Sequence, residues 1–243
     1  MERIMKARGL GGHSSATALG PVVWALFFWA APLILWAQTT GSVDTTAFPV
    51  LSVGLGARAV GMGESFTAVA DDLSAIHYNS AGLAQIHDPE VVLMHNSYLA
   101  DGFYDTVGCV YPFGTAGTLA FGLNYLNYGS IDRRDAQGNL LGTYTPFDIS
   151  AGGAFGFQMD KNAFLGLSSQ WMRQDINGSV HTGLLWDAAF LVKPYERFSL
   201  GLNFKNLGVE TGGYSLPAEL MVGGRVNGDG HIGLVTSQGS SAA

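Results

Sequence analysis

The amino-acid sequence predicts an all-β protein, a transmembrane antiparallel β-barrel whose strands run up and down in chain order. Three observations predict it: apolar residues alternate with small or polar ones after residue 90, the connections between these runs alternate in length, and aromatic residues gather near the run ends. After residue 37, no segment is apolar for long enough to cross a membrane as a helix. A chain of this kind spans lipid as a closed barrel, because lipid leaves open backbone groups without hydrogen bonds.

The composition is that of an apolar chain with little charge. The 243 residues are 47% hydrophobic and 13% charged, and 34 of them are glycine, whereas about 25% charged residues are usual. The net charge of −7 argues against a nucleic-acid partner. A single cysteine, Cys109, excludes an internal disulfide and a multi-cysteine zinc site.

Residues 1–37 have the pattern of a secretory signal peptide. Arg3, Lys6 and Arg8 precede an apolar run that ends at Ala37, and polar residues follow from Gln38. We expect cleavage after Ala37, with a retained signal anchor as the alternative. The predicted organisation is therefore a signal peptide over 1–37, an N-terminal segment over 38–90 and barrel strands over 91–243.

Period-two alternation defines the expected strands. Phe198, Leu200 and Leu202, for example, alternate with Ser199 and Gly201. Longer connections are expected at 97–103, 130–146, 175–181 and 207–216, and short turns at 114–116, 160–161, 194–196 and 227–229. Outer-membrane barrels place their short turns on the periplasmic side. Nine strands are expected, beginning near Val91, Tyr104, Gly117, Phe147, Asn162, Thr182, Arg197, Pro217 and Gly230.

Aromatic residues predict two interfacial girdles, one at each end of the strands. A secreted soluble β-sandwich is the alternative, in which the aromatic residues would fill a core between two sheets. The set near the short turns is Tyr111, Phe113, Phe157, Phe164, Tyr195 and Phe198, and the opposite set is Tyr125, Tyr128, Tyr144, Phe147, Trp171, Trp186 and Tyr214.

The other face of the strands carries small side chains. These leave room for a plug or a ligand, or they permit tight strand curvature. The residues of this face are Gly122, Gly152, Gly156, Gly166, Ala120, Ala154, Ser150 and Ser168.

Residues 51–84 do not alternate. Phe66, Val69, Leu73 and Ile76 recur at steps of three and four, as on a short helical stripe, which indicates a compact element. Three short motifs follow one another here: GARAVGMG at 56–63, AVADD at 68–72 and YNSAGL at 78–83.

The three motifs in this order resemble the N-terminal signature of the FadL/PorV-type outer-membrane proteins. That superfamily includes long-chain fatty-acid transporters and the PorV and PorQ proteins of a secretion system. The resemblance implies that residues 38–90 form a hatch that plugs the barrel. The residues that it assigns to the hatch motif are Arg58, Gly61, Gly63, Asp71, Asp72, Asn79, Ala81 and Gly82.

The chain departs from the family pattern in two respects. Ser80 stands where the family usually has proline, which frees the backbone and restores an N–H donor. The family barrel has about fourteen strands, and single-chain bacterial barrels normally have an even number. Nine expected strands and a polar C-terminal end indicate a C-terminally shortened chain and an incomplete barrel.

The resemblance implies transport of hydrophobic small molecules, such as fatty acids, across the outer membrane of a Gram-negative-type bacterium, with no cofactor and no covalent step. The alternative is a PorV-like component of a secretion system that holds cargo proteins. A third possibility is a lipid-modifying hydrolase, because His95 and Ser97 face the same side of a strand, as a base and a nucleophile would. The histidines lack metal-site spacing, and the expected surroundings are outer-membrane lipid.

Overall fold

The computed structural model describes residues 48–98, 101–195, 197–211, 217–226 and 230–239, the last range as backbone. The expected signal peptide, residues 38–47 and Tyr214 lie outside the described residues. No helix within these ranges is both long and apolar enough to span a membrane.

Nine antiparallel strands form one sheet in which each strand pairs with the next, apart from one inserted hairpin. The prediction of an all-β, up-and-down fold is thus confirmed, and all nine strands begin within three residues of their expected positions. The sheet is open, with β1 and β11 at its edges. Its strands are β1 (Glu90–Ser97), β2 (Phe103–Pro112), β3 (Thr118–Asn127), β6 (Phe147–Asp160), β7 (Ala163–Ile176), β8 (Ser179–Tyr195), β9 (Phe198–Thr211), β10 (Pro217–Val226) and β11 (Gly230–Gly239).

The inserted hairpin consists of β4 (Ile131–Arg134) and β5 (Leu140–Tyr144), which pair only with each other. The sequence predicts a loop over this stretch. We call the end of the sheet from which it projects the hairpin end, and the opposite end, where β6 turns into β7, the turn end.

The expected longer loop at 175–181 is wrong. Strand β7 continues to Ile176 and β8 begins at Ser179, so that Asn177 and Gly178 alone connect them. Both residues have positive φ angles, 53° and 84°, as a type I′ hairpin turn requires. The alternation of connection lengths is therefore incomplete, and the direction in which the side chains face becomes the stronger argument for a barrel.

The sheet is apolar on its outer face and polar or small on its inner face. On β1, Val91 and Leu93 are 74% and 76% exposed. On β9, by contrast, Ser199, Asn203 and Lys205 are all buried on the inner side. A soluble sheet that buries one face shows the opposite arrangement, with polar residues facing water.

The hatch lies against this inner face. Its secondary structure is short: a 3-10 turn at Pro49–Ser52, helix α1 (Ala57–Gly61), helix α2 (Ala75–Tyr78) and a 3-10 turn at Ser80–Gln85. Phe66, Val69 and Leu73 are buried, but only Ile76 of the expected helical stripe lies in a helix. The expected helical conformation of the stripe is thus wrong for its first part, because residues 62–69 form successive turns.

Candidate functional site

Glycines on the inner face of the sheet form the seat of the hatch. A Cβ atom built on Gly166 would lie 2.1 Å from the backbone nitrogen of Ala81, and one on Gly201 would lie 2.2 Å from the carbonyl oxygen of Thr67. At Gly156 the same atom would lie 2.6 Å from the carbonyl oxygen of Ser80. The small residues were expected either to leave room for a plug or to permit tight strand curvature. At these positions they leave room for the plug.

Asn79 joins the parts of the hatch to each other and to the sheet. Its side chain is fully buried, and its amide Nδ2 donates to the carbonyl oxygens of Thr67 at 2.7 Å and of Phe190 at 3.2 Å. Its Oδ1 accepts a hydrogen bond from the backbone nitrogen of Ala81 at 3.1 Å, which caps the following 3-10 turn. One side chain therefore links two hatch segments and β8.

Three further hydrogen bonds run from the sheet to the hatch backbone. Asn203 Nδ2 donates to the carbonyl oxygen of Tyr78 at 2.9 Å. The hydroxyl of Ser199 donates to the carbonyl oxygen of Ala68 at 2.8 Å, and that of Thr118 donates to the carbonyl oxygen of Ile86 at 3.3 Å. These contacts satisfy carbonyl groups that the irregular hatch backbone leaves unpaired.

Arg58, Asp71 and Asp72 of the motif lie close together. Arg58 Nη1 lies 2.5 Å from Asp71 Oδ1 and 3.2 Å from Asp72 Oδ2, and its guanidinium lies 5.2 Å from the centre of the Phe66 ring. The hydrogen bond to Asp71 raises the pKa of Arg58. Asp72 also accepts a hydrogen bond from the backbone nitrogen of Ser74 at 2.9 Å, just before α2. The arginine side chain is 52% exposed.

The small residues of the motif divide into two groups. Ala81 is buried in the seat, and a Cβ atom on Gly82 would lie 1.9 Å from the carbonyl oxygen of Ala70. Gly61 and Gly63 have no described atom within 4 Å of such a Cβ position. The structure therefore gives Ala81 and Gly82 a packing role and leaves Gly61 and Gly63 on the exposed side of the hatch.

A small cavity of about 30 Å³ remains between the hatch and the sheet. His77 lines it from α2, and Asn124 and Gln170 line it from the sheet. A cavity of this size holds about one or two water molecules. Burial, aided by the charge of Lys205, lowers the pKa of His77 well below its ordinary value, so the imidazole is neutral near pH 7.

At the hairpin end, Asp148 holds the beginning of the hatch. Its Oδ2 accepts hydrogen bonds from the Tyr128 hydroxyl at 2.8 Å and from the backbone nitrogen of Val50 at 3.3 Å. At the turn end, Lys193 donates a hydrogen bond to the side chain of Gln85. These anchors are not among the residues predicted from the sequence; an acidic residue inside an alternating strand is the available signal for Asp148.

His95 and Ser97 face outward on β1, and one further residue contacts His95. His95 Nδ1 lies 2.6 Å from Asp105 Oδ1 on β2. Among the described residues, no hydrogen bond joins His95 to Ser97. Asp105 therefore orients His95, but His95 does not form the hydrogen bond that would activate Ser97 as a nucleophile.

Aromatic side chains form a row on the outer face at the hairpin end. The rings of Phe103 and Tyr125 lie 5.8 Å apart, as do those of Tyr125 and Phe147. At the turn end, Tyr111 and Phe113 lie 5.0 Å apart. The sequence predicts Phe164 in the turn-end girdle and Tyr128 in the hairpin-end girdle, and both predictions are wrong. Phe164 is buried beside Ala81, and Tyr128 packs against the core and bonds Asp148.

The described residues contain no group of three or more His, Cys, Asp or Glu side chains able to hold a metal ion.

Fold and site together define an open, inside-out antiparallel sheet that is filled by its own N-terminal segment. The model of an uncharacterised protein family, UPF0164, matches residues 30–155. The chain belongs to this family, and the matched region contains the whole motif and the first strands of the sheet. No match to a curated protein was found.

Proposed function

We propose that this chain is the plugged wall of an outer-membrane barrel that conducts hydrophobic small molecules such as fatty acids, as the fatty-acid transporters among the FadL/PorV-type proteins that it resembles do. The observation that carries the membrane placement is the inside-out sheet. Val91 and Leu93 face outward, while polar Asn203 and Lys205 face the hatch. Lipid accepts an apolar outer face, and aromatic rows mark its two interfaces.

The spacing of the aromatic rows agrees with this placement. On β2, Phe103 and Tyr111 are eight residues apart, or about 27 Å along a strand at 3.4 Å per residue. A strand tilt of about 40° reduces this to about 21 Å of height, close to the apolar band of about 25 Å in known barrels.

Gel mobility of the chain extracted from an outer-membrane fraction tests the placement. A folded barrel resists detergent until it is heated, so the unheated and boiled samples should migrate differently. Recovery of the chain as a soluble periplasmic protein would contradict the proposal and favour the β-sandwich.

A disulfide between the hatch and the sheet tests transport. A Cβ atom on Gly223 would lie 3.3 Å from the Cβ of Ala68, near the 3.5–4.5 Å that a disulfide spans. The pair A68C/G223C is placed in a Cys109→Ser background, because Cys109 is exposed. We expect uptake of radiolabelled oleate to fall in the oxidised pair and to return on reduction, with each single cysteine variant as a control.

A second candidate, a PorV-like cargo-holding component of a secretion system, is favoured by the filled interior. The cavity beside His77 has about 30 Å³, far less than a fatty-acid chain requires. A holding function needs no passage through the hatch. Oleate uptake that is unaffected by deletion of the protein, together with reduced surface display of secreted cargo, would support this candidate over transport.

A further inference from the structure

Two adjacent connections at the turn end line an open cavity of about 650 Å³, and three of its six lining residues are basic. One is the connection between β6 and β7, and the other is that between β8 and β9. The backbone nitrogen of Lys193 donates to the carbonyl oxygen of Asn162 at 2.8 Å and holds the two together. The cavity is lined by Lys161, Asn162, Lys193, Pro194, Tyr195 and Arg197.

The exposed cations of this cavity form no ion pair with a described residue. Within the described ranges, neither Lys161 nor Arg197 has an acidic side chain within salt-bridge distance, and both are exposed. The ammonium group of Lys193 donates one hydrogen bond to the amide oxygen of Gln85. The carboxylate of Asp160 accepts a hydrogen bond from the Lys161 backbone nitrogen at 2.8 Å and forms no salt bridge with the Lys161 ammonium. Glu196 lies outside the described residues.

The position of the cavity relative to the apolar outer face indicates its ligand. Tyr195 is 75% exposed at its rim, and the Phe155 and Phe157 rings stack 6.0 Å apart a few residues before Lys161. Exposed aromatic residues of this kind lie at the level of lipid headgroups. The cations stand just beyond that level, where phospholipid phosphates are found.

We propose that Lys161 and Arg197 bind the phosphate of an anionic phospholipid in the periplasmic leaflet of the outer membrane. The inference rests on the proposed membrane placement, in which the turn end faces the periplasm. Basic residues near an anionic lipid surface favour binding, so removing two of them should weaken binding by about tenfold or more.

The test measures binding of dioctanoyl phosphatidylglycerol to the detergent-extracted chain by native mass spectrometry. The double variant K161Q/R197Q should bind this lipid about tenfold more weakly than the wild type. The matched control, R133Q/R134Q, removes two cations from the hairpin end and should bind as the wild type does. Dioctanoyl phosphatidylcholine should bind weakly to all three proteins.

Equal binding by the wild type and K161Q/R197Q, or equal binding of the two lipids, would overturn the proposal. Displacement of the lipid by millimolar inorganic phosphate would instead assign the cavity to free phosphate. Gel mobility of each variant before and after heating reports membrane insertion separately. Failure of the lipid site is thereby distinguished from failure of the membrane placement.

Discussion

The amide nitrogen of Asn79 donates a hydrogen bond to the carbonyl oxygen of Phe190, 111 residues further along the chain, at 3.2 Å. The same nitrogen bonds the Thr67 carbonyl oxygen at 2.7 Å. This buried amide ties two hatch segments to each other and to β8, so a shift of the hatch against the sheet breaks the bond to Phe190.

Removing this amide should loosen the hatch. Asn79→Ala leaves the carbonyl groups of Thr67 and Phe190 and the nitrogen of Ala81 without their partner, at a cost of about 2–4 kcal/mol in the free energy of unfolding. Urea titration in detergent measures the loss, and leakage of a small hydrophilic dye from vesicles should rise. Asn139→Ala, at the exposed tip of the β4–β5 hairpin, is the control. An unchanged leakage rate would show that this segment does not plug a pore.

Two glycine substitutions should have opposite outcomes. Gly166→Ala places a methyl group 2.1 Å from the Ala81 nitrogen, so it should destabilise the protein by about 2 kcal/mol or more through overpacking. Gly61→Ala meets no described atom within 4 Å and lies in α1, so stability should stay within about 0.5–1 kcal/mol of the wild type, on the favourable side. Thermal unfolding measures both. Equal destabilisation would mean that a further element covers Gly61.

The arginine cluster should contribute little to stability despite its place in the motif. The Arg58 side chain is 52% exposed and that of Asp71 is 36% exposed, and exposed pairs contribute about 0.2–1 kcal/mol. A double-mutant cycle of Arg58→Ala and Asp71→Ala should give a coupling energy in that range, decreasing as salt is added. Coupling of several kcal/mol would require a buried pair and would contradict the observed exposure.

The protein should lose stability in mild acid because of His77. Burial lowers the folded-state pKa of His77 below the ordinary value, so the unfolded chain binds the proton first. Above pH about 6.5 both states are neutral and stability is unaffected. As the pH falls from about 6.5 toward the folded pKa, the free energy of unfolding decreases by up to about 1.4 kcal/mol per pH unit.

The variant His77→Gln isolates this contribution. The wild-type stability should fall relative to that of the variant between pH 6.5 and 5, and the two should run parallel above pH 7. Parallel curves over the whole range would mean that His77 is protonated equally in both states.

The strands were predictable from the sequence because alternation depends on local spacing alone. The seat of the hatch was partly predictable. The small-residue face was recognised from the sequence, but the close contact between Gly166 and Ala81 was not. Asn79 was expected to act within the hatch, and its bond to Phe190 follows from tertiary packing that no spacing reveals. Phe164 was misplaced because its distance from a turn was used, whereas its position within the alternation of β7 directs it inward.

The order of the nine strands restricts how the sheet can close. Strands β1 and β11 both begin at the turn end, so they point the same way. An antiparallel barrel alternates direction around its circumference and therefore has an even number of strands. Any wall that closes this sheet in an antiparallel manner contributes an odd number of strands, and its first and last strands both begin at the hairpin end. If β1 paired directly with β11, the two edges would be parallel. The same holds for two copies of the chain that share one orientation in the membrane. Neither arrangement meets this condition.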